Sequence, residues 1–277
     1  MRKAALLAAA LTAALLLAAC GSDGRDAAPN AAAGERPAAA AADDASPIVR
    51  DDFRRDMRAL WEDHITWTRL FIVSAVDGLG DVDATAARLL RNQTEIGDAI
   101  KPFFGDAAGA RLTELLNDHI LTAGDLIAAA KKGDDKAVAK TSKAWYRNGN
   151  AIADFLAKAG VGSAPELRAM MKGHLDTTLD EAVARLSGDY DAEIAAYDEV
   201  RSHIHHMSDA LADGIIAALP DRFAPESEDR DAAYARRDMR ALWEDHITWT
   251  RLFIVSAVDG LGDVDATAAR LLRNQTE

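Results

Sequence analysis

The chain has 277 residues, of which 49% are hydrophobic and 6% aromatic, and it carries 45 acidic against 32 basic side chains, a formal net charge of −13. A protein this acidic repels phosphate groups, which argues against nucleic-acid binding. The dominance of alanine, leucine, aspartate and arginine, with seven prolines in all, favours a mostly helical globular protein.

Residues 1–20, MRKAALLAAALTAALLLAAC, have the form of an export signal. Two basic residues precede an apolar run that ends in small residues and Cys20, and this run is too short to span a membrane. The segment Leu17–Cys20 resembles the lipobox of bacterial lipoproteins. The resemblance implies a signal peptide of residues 1–19, lipidation of Cys20 with acyl chains such as palmitate, and attachment to the extracytoplasmic face of a cell membrane. The alternative is an ordinary secretory peptide with an incidental cysteine.

The mature chain would hold its fold together without disulfides, because Cys20 is the only cysteine. Cleavage would remove two basic residues and no acidic one, leaving 30 basic against 45 acidic side chains. Residues 20–45 contain many small residues and no apolar periodicity, which predicts a lipidated flexible tether.

Helical stripes alternate with short breaks rich in glycine and aspartate between residues 46 and 222, which predicts an all-α helical bundle of about six helices. Ser46 and Pro47 form a typical helix start, an N-cap followed by proline at the first helical position. Ser163 and Glu166 form a capping-box pattern, and Pro220 ends the last helix.

An old internal repeat is marked by histidines 55 residues apart. His64, His119 and His174 each interrupt a stripe that is apolar seven and three residues before and one residue after the histidine. The second helix of each pair also carries a polar residue on its apolar stripe. These three residues are Asn92, Asn148 and His203. The bundle is therefore predicted to consist of three repeated helical hairpins.

Convergence of these hairpins would gather a polar site inside the bundle. Neutral imidazoles on adjacent helical turns are a common way to present metal ligands. The candidate ligands for a divalent transition metal ion or a small molecule are His64, His119, His174, His203, His206 and Asp209. The candidate residues that would orient them are Asn92, Asn148, Thr68 and Thr178.

Two other roles are open for these residues. Buried histidines often only bond a neighbouring threonine, asparagine or carbonyl and so fix the packing register, since an unpaired buried polar group costs ~1–3 kcal/mol. No motif of a known enzyme class is found in the sequence. The expected function is that of a membrane-anchored envelope lipoprotein of the binding or structural class. The alternatives are an envelope hydrolase or transferase with a histidine general base, and a purely structural or adaptor lipoprotein.

Residues 223–277 consist of a linker and an exact partial copy of the first hairpin. Arg236–Glu277 repeats Arg54–Glu95 without one substitution, so the duplication is recent or arises from sequence assembly. Three arrangements of the copy are compatible with the sequence: a loose tail, a hairpin appended to the edge of the bundle, or an exchange between two molecules. The last is a domain-swapped homodimer through residues 236–277.

Overall fold

The computed structural model describes residues 47–226 and 230–276 of the chain. The predicted signal peptide, Cys20 and the tether lie outside the described residues. Ile48–Glu277 form one compact unit. Its elements in chain order are β1 (Ile48–Val49), α1 (Arg50–Asp77), α2 (Val82–Phe104), α3 (Asp106–Lys131), α4 (Asp135–Lys158), α5 (Ala164–Ser187), α6 (Tyr190–Ala218), a short 3₁₀ helix (Pro220–Arg222), β2 (Phe223–Ala224), α7 (Arg230–Asp259) and α8 (Val264–Asn274).

The first six helices form three hairpins that pack on one another in chain order, and α6 packs back against α1. The prediction of an all-α bundle of three hairpins, with a partial fourth hairpin at the C-terminus, is confirmed. Helix ends follow the predicted chemistry in α5, where the backbone N–H of Glu166 donates to Ser163 Oγ at 3.4 Å. The Ser163 hydroxyl donates in turn to the Glu166 carboxylate at 2.6 Å, which completes the capping box.

The start of α1 differs from the prediction. The helix begins at Arg50 rather than at Pro47, because Ile48 and Val49 pair in parallel with Phe223 and Ala224. This pairing involves residues 175 positions apart in the sequence, so a local capping pattern does not reveal it. The two short strands hold the beginning of the first hairpin beside the segment that follows the third hairpin.

The internal repeat is visible as one hydrogen bond that recurs in each hairpin. The polar residue of the second helix donates to a backbone carbonyl of the first helix, and the three carbonyls are 55 residues apart in the sequence. The pairs are Asn92 Nδ2 to Leu60 O at 3.0 Å, Asn148 Nδ2 to Leu115 O at 3.0 Å and His203 Nε2 to Met170 O at 2.9 Å. Asn92, Asn148 and His203 therefore lock the two helices of their hairpins in register.

The C-terminal copy is a hairpin, α7–α8, appended to the edge of the bundle where it packs against α1 and α6. Among the described residues, Trp249 and Leu252 are the only members of the main buried apolar cluster that come from α7 and α8. The core of the six-helix bundle is therefore supplied almost entirely by the bundle itself.

Candidate ligand-binding cavity

Four histidines from four helices meet inside the bundle. The ring centroid of His174 lies 5.7 Å from that of His64, 6.2 Å from that of His119 and 6.5 Å from that of His203. The first three side chains are buried, at 2–3% exposure. The apolar stripe on each first helix points at the bundle axis, so a histidine that replaces one stripe residue also points inward.

Two of these rings are oriented by amide side chains of the neighbouring helix. His119 Nδ1 donates to Asn148 Oδ1 at 2.9 Å, and Gln93 Nε2 donates to His64 Nδ1 at 3.2 Å. These contacts leave His64 with its proton on Nε2, as a donor, and leave Nε2 of His119 as an acceptor. His174 differs, because its Nδ1 is buried without a hydrogen-bond partner.

The histidines are held in the neutral form. Burial, reinforced by the nearby His119, lowers the pKa of His64 to about 3. Burial lowers the pKa of His119 to about 4, although its bond to Asn148 acts in the opposite direction. The pKa of His174 is also lowered well below its usual value, first by burial and then by the neighbouring histidines. At neutral pH, three uncharged imidazoles therefore stand side by side.

A cavity of about 110 Å³ opens beside the three rings of His64, His119 and His174. The rest of its wall is almost entirely aliphatic and aromatic, and Trp145 contributes a ring that stacks on His119 with centroids 5.2 Å apart. Val183, which is 54% exposed, also lines the cavity, so this end reaches the surface of the protein. The other apolar residues of the wall include Phe71, Ile72, Leu89, Ile120, Ile127 and Leu179.

Thr68 and Thr178 line the same cavity, but each hydroxyl group already donates its proton to a backbone carbonyl. Thr68 Oγ1 donates to the backbone carbonyl of His64 at 2.7 Å, and Thr178 Oγ1 donates to that of His174 at 2.8 Å. These bonds leave the threonines as acceptors only and present their methyl groups as further apolar surface. Neither threonine touches a histidine ring through a hydrogen bond in the described structure.

His206 and Asp209 do not join the histidine cluster, contrary to the predicted shared face. His206 is exposed, and its Nδ1 donates to the carbonyl of Ser202 in its own helix at 2.8 Å. Asp209 accepts from the guanidinium of Arg58 on α1. A step of six residues turns an α-helix by roughly 240° from His203, so Asp209 faces α1 while His203 faces α5.

The predicted metal centre is not assembled. In the part of the chain that the structure describes, no group of three or more His, Cys, Asp or Glu side chains is placed to hold a metal ion. The contact from Gln93 uses the lone pair of His64 Nδ1 and leaves a proton on its Nε2, so this ring offers no free lone pair to a metal ion. The exact copy of His64, His246, lies outside the cavity and is partly exposed.

A buried ion network that the sequence did not predict lies elsewhere in the bundle. Arg69 Nη1 donates to Glu181 at 3.1 Å, and its Nη2 lies 3.2 Å from Glu193. Arg185 bridges Glu193 at 3.1 Å and Asp263 at 2.5 Å. Burial raises the pKa of Glu181 to about 7. Arg69 is not on the predicted stripe of α1, whose last member is Thr68, so that stripe did not indicate its burial.

Comparison of the chain with protein-family models, with curated proteins and with solved structures found no match. None of the helices within residues 47–226 and 230–276 is both long and apolar enough to cross a membrane.

Proposed function

We propose that the protein is a lipid-anchored envelope protein that binds a small, neutral, largely apolar molecule carrying a hydroxyl-like group in the histidine-lined cavity. The observation that carries the proposal is an apolar cavity of about 110 Å³ with three neutral imidazoles in its wall. Small-molecule sites combine mostly apolar walls with a few fixed polar groups in this way.

The polar groups of the wall favour a hydroxyl. His64 offers an N–H donor and His119 offers a lone-pair acceptor, and a hydroxyl group can pair with either one because it both accepts and donates. The volume limits the apolar part of the ligand, since a cavity of roughly 150 Å³ admits benzene. A molecule with about three to five carbon atoms is therefore the expected size.

The same groups do not favour general-base catalysis. A general base works best when its pKa lies near the working pH, and the pKa values of His64 and His119 lie at about 3 and about 4. The ring partners of both histidines are amides rather than carboxylates. If no small ligand enters the cavity, the histidines have a purely structural role.

The test is a titration of residues 47–277 with straight-chain alcohols from ethanol to hexanol, followed by ¹H–¹⁵N NMR. Affinity is expected to rise about fourfold per methylene, the equivalent of ~0.8 kcal/mol, until the chain fills the cavity, and then to fall. Ala123→Leu, which fills the cavity wall, should abolish binding, whereas Ala139→Leu on the exposed face of α4 should not. Absence of saturable shifts with every alcohol would overturn the proposal.

The matched pair His64→Phe and His246→Phe tests whether the imidazole takes part. The two histidines have identical sequence neighbours, but only His64 lines the cavity. His64→Phe keeps a planar ring but removes the N–H donor, so it should weaken butanol binding about tenfold, the loss of one hydrogen bond of ~1.4 kcal/mol. His246→Phe should bind butanol like the unchanged protein, and equal effects of the two substitutions would contradict the assignment.

The anchor is tested separately in cells. Cys20→Ala removes the residue that would carry the lipid, so the protein should move from the membrane fraction to the soluble extracytoplasmic fraction. Durable attachment needs more than one acyl chain, each contributing ~0.8 kcal/mol per buried methylene, and the variant would carry none. Unchanged membrane fractionation of Cys20→Ala would rule out the lipid anchor without bearing on the cavity.

A further inference from the structure

The two identical copies of the hairpin contact each other through equivalent positions. The hydroxyl oxygen of Thr66 lies 3.5 Å from the hydroxyl oxygen of Thr248. Thr248 is the copy of Thr66, 182 residues further along the chain. A residue that touches its own equivalent marks the axis of an approximate two-fold relation between α1 and α7.

Reciprocal cation–π contacts flank this axis. The guanidinium carbon of Arg69 lies 5.0 Å from the ring centroid of Trp249, and that of Arg251 lies 5.4 Å from the ring centroid of Trp67. Trp249 is the copy of Trp67, and Arg251 is the copy of Arg69. Each contact therefore has its counterpart with the two copies exchanged, which is the defining property of an isologous interface.

The face of α7 that points away from this interface is the one that α1 buries in the bundle. Trp243 is 60% exposed, although its equivalent Trp61 is 6% exposed. The same contrast holds along the whole face, where the exposed residues are Met239 at 55%, Ile247 at 62% and Ile254 at 53%, and their equivalents are Met57 at 4%, Ile65 at 1% and Ile72 at 2%. A second bundle built around α7 would cover this face as the first bundle covers α1.

The C-terminal copy has contacts with α6 on its outer face, and the equivalent face of the first hairpin has no such contacts among the described residues. Arg270 on α8 donates to Asp198 on α6 at 2.9 Å, and the side chains of Arg270 and Asp245 are 5% and 2% exposed. Their equivalents, Arg88 and Asp63, bond each other but remain 20% and 30% exposed. An α6 helix of a second molecule would supply Arg88 with the partner that Arg270 has here.

We propose that the six-helix bundle pairs with the bundle of a second copy of this chain about this two-fold axis, and that α7–α8 occupies the pairing surface within the chain. In the pair, α1 and α2 of the second molecule lie where α7 and α8 lie here. No element leaves its own bundle, which distinguishes this arrangement from a domain swap. Because a covalent link gives the copy a high effective concentration, the full chain is monomeric.

The test compares one substitution at the two equivalent positions in residues 47–277, with molar mass measured by light scattering. Thr248→Arg displaces α7–α8 but leaves the surface of α1 intact, so the protein should become a dimer. Thr66→Arg blocks that surface and should give a monomer, as should the double variant Thr66→Arg/Thr248→Arg. A helical, monomeric Thr248→Arg variant would overturn the proposal, and so would a dimeric Thr66→Arg variant.

A cross-link locates the axis in the dimers that Thr248→Arg is expected to form. Residues 47–277 contain no cysteine, so Thr66→Cys added to Thr248→Arg places a single thiol beside the axis in each molecule. Oxidation should give a covalent dimer in high yield, whereas Asn150→Cys on the exposed side of α4 should not. Dimers that form without a cross-link at position 66 would place the interface elsewhere and contradict the proposal.

Discussion

Acidification from pH 6.5 to 4.5 will destabilise the protein, because the buried histidines cannot accept protons while the bundle is folded. The folded-state pKa of His64 is about 3 and that of His119 about 4, whereas histidines in the unfolded chain titrate near ~6.5. The unfolded chain therefore binds protons first, and stability is full above pH ~6.5 and is lost as the pH falls towards the folded pKa. At ~1.4 kcal/mol per pKa unit, His119 alone lowers the free energy of unfolding by about 3 kcal/mol between pH ~6.5 and pH ~4.

Glu181 acts in the opposite direction over part of this range. Burial raises its pKa to about 7, so the folded protein holds a proton that the unfolded chain releases above pH ~4.3. Its contribution to the unfolding free energy therefore increases as the pH falls from about 7 to ~4.3. Three histidines with lowered pKa values outweigh one such carboxyl group, and the net effect of acid remains a loss of stability.

Urea unfolding between pH ~7.5 and ~4.5 measures this dependence. His119→Gln keeps an amide that can donate to Asn148 but removes the titrating ring, so its stability should fall less steeply with acid than that of the unchanged protein. His246→Gln, at a partly exposed position, should follow the unchanged protein. Parallel curves for the unchanged protein and for His119→Gln would contradict the assignment.

Replacing Arg69 with leucine will cost about 3–5 kcal/mol of unfolding free energy, the usual result of removing one partner from a buried ion pair. Arg69 is fully buried between Glu181 and Glu193, which are 1% and 0% exposed. The leucine removes the positive charge between Glu181 and Glu193, so the protein must either bury an unpaired carboxylate or take up a proton on Glu181. Urea unfolding at neutral pH should therefore show a large shift of the midpoint.

The duplicated hairpin provides a control for this prediction. Arg251 has the same sequence neighbours as Arg69 but is exposed, so Arg251→Leu should change stability by less than ~1 kcal/mol. Combining Arg69→Leu with Glu181→Leu should recover part of the loss, because the second substitution removes a carboxylate that the first left unpaired. Equal losses for Arg69→Leu and Arg251→Leu would refute the energetic role of the network.

The architecture and the histidine cluster were predictable because both depend on local periodicity. An apolar stripe predicts which side of a helix faces the core, and the 55-residue spacing indicates which stripes are equivalent. Together they predicted three hairpins, and the meeting of His64, His119, His174 and His203 on the condition that the hairpins converge. Asn148 was among the predicted orienting residues and bonds His119, whereas in the first hairpin Gln93, next to the predicted Asn92, contacts Nδ1 of His64.

The remaining features depend on which helices face each other, which a stripe does not specify. The partner of Arg69 is Glu181, 112 residues away, and no local pattern links them. Asp209 was assigned to the histidine side of α6 because it follows His206 at helical spacing, yet it lies on the α1 side. The sequence also did not predict that the copy docks through its outer face. The inner stripe of the copy is more apolar than this outer face, so the apolar pattern favours the wrong face.

Whether neutral imidazoles bind a hydroxyl in the cavity is tested most directly by ¹⁵N NMR of the histidine ring nitrogens in residues 47–277 near neutral pH, recorded with and without butanol. Neutral rings are expected for His64, His119 and His174. Butanol should shift the Nε2 signals of His64 and His119 and leave those of His246 unaffected. Protonated His64 and His119 rings at this pH, or ring signals of these two residues that do not respond to butanol, would contradict this mode of binding.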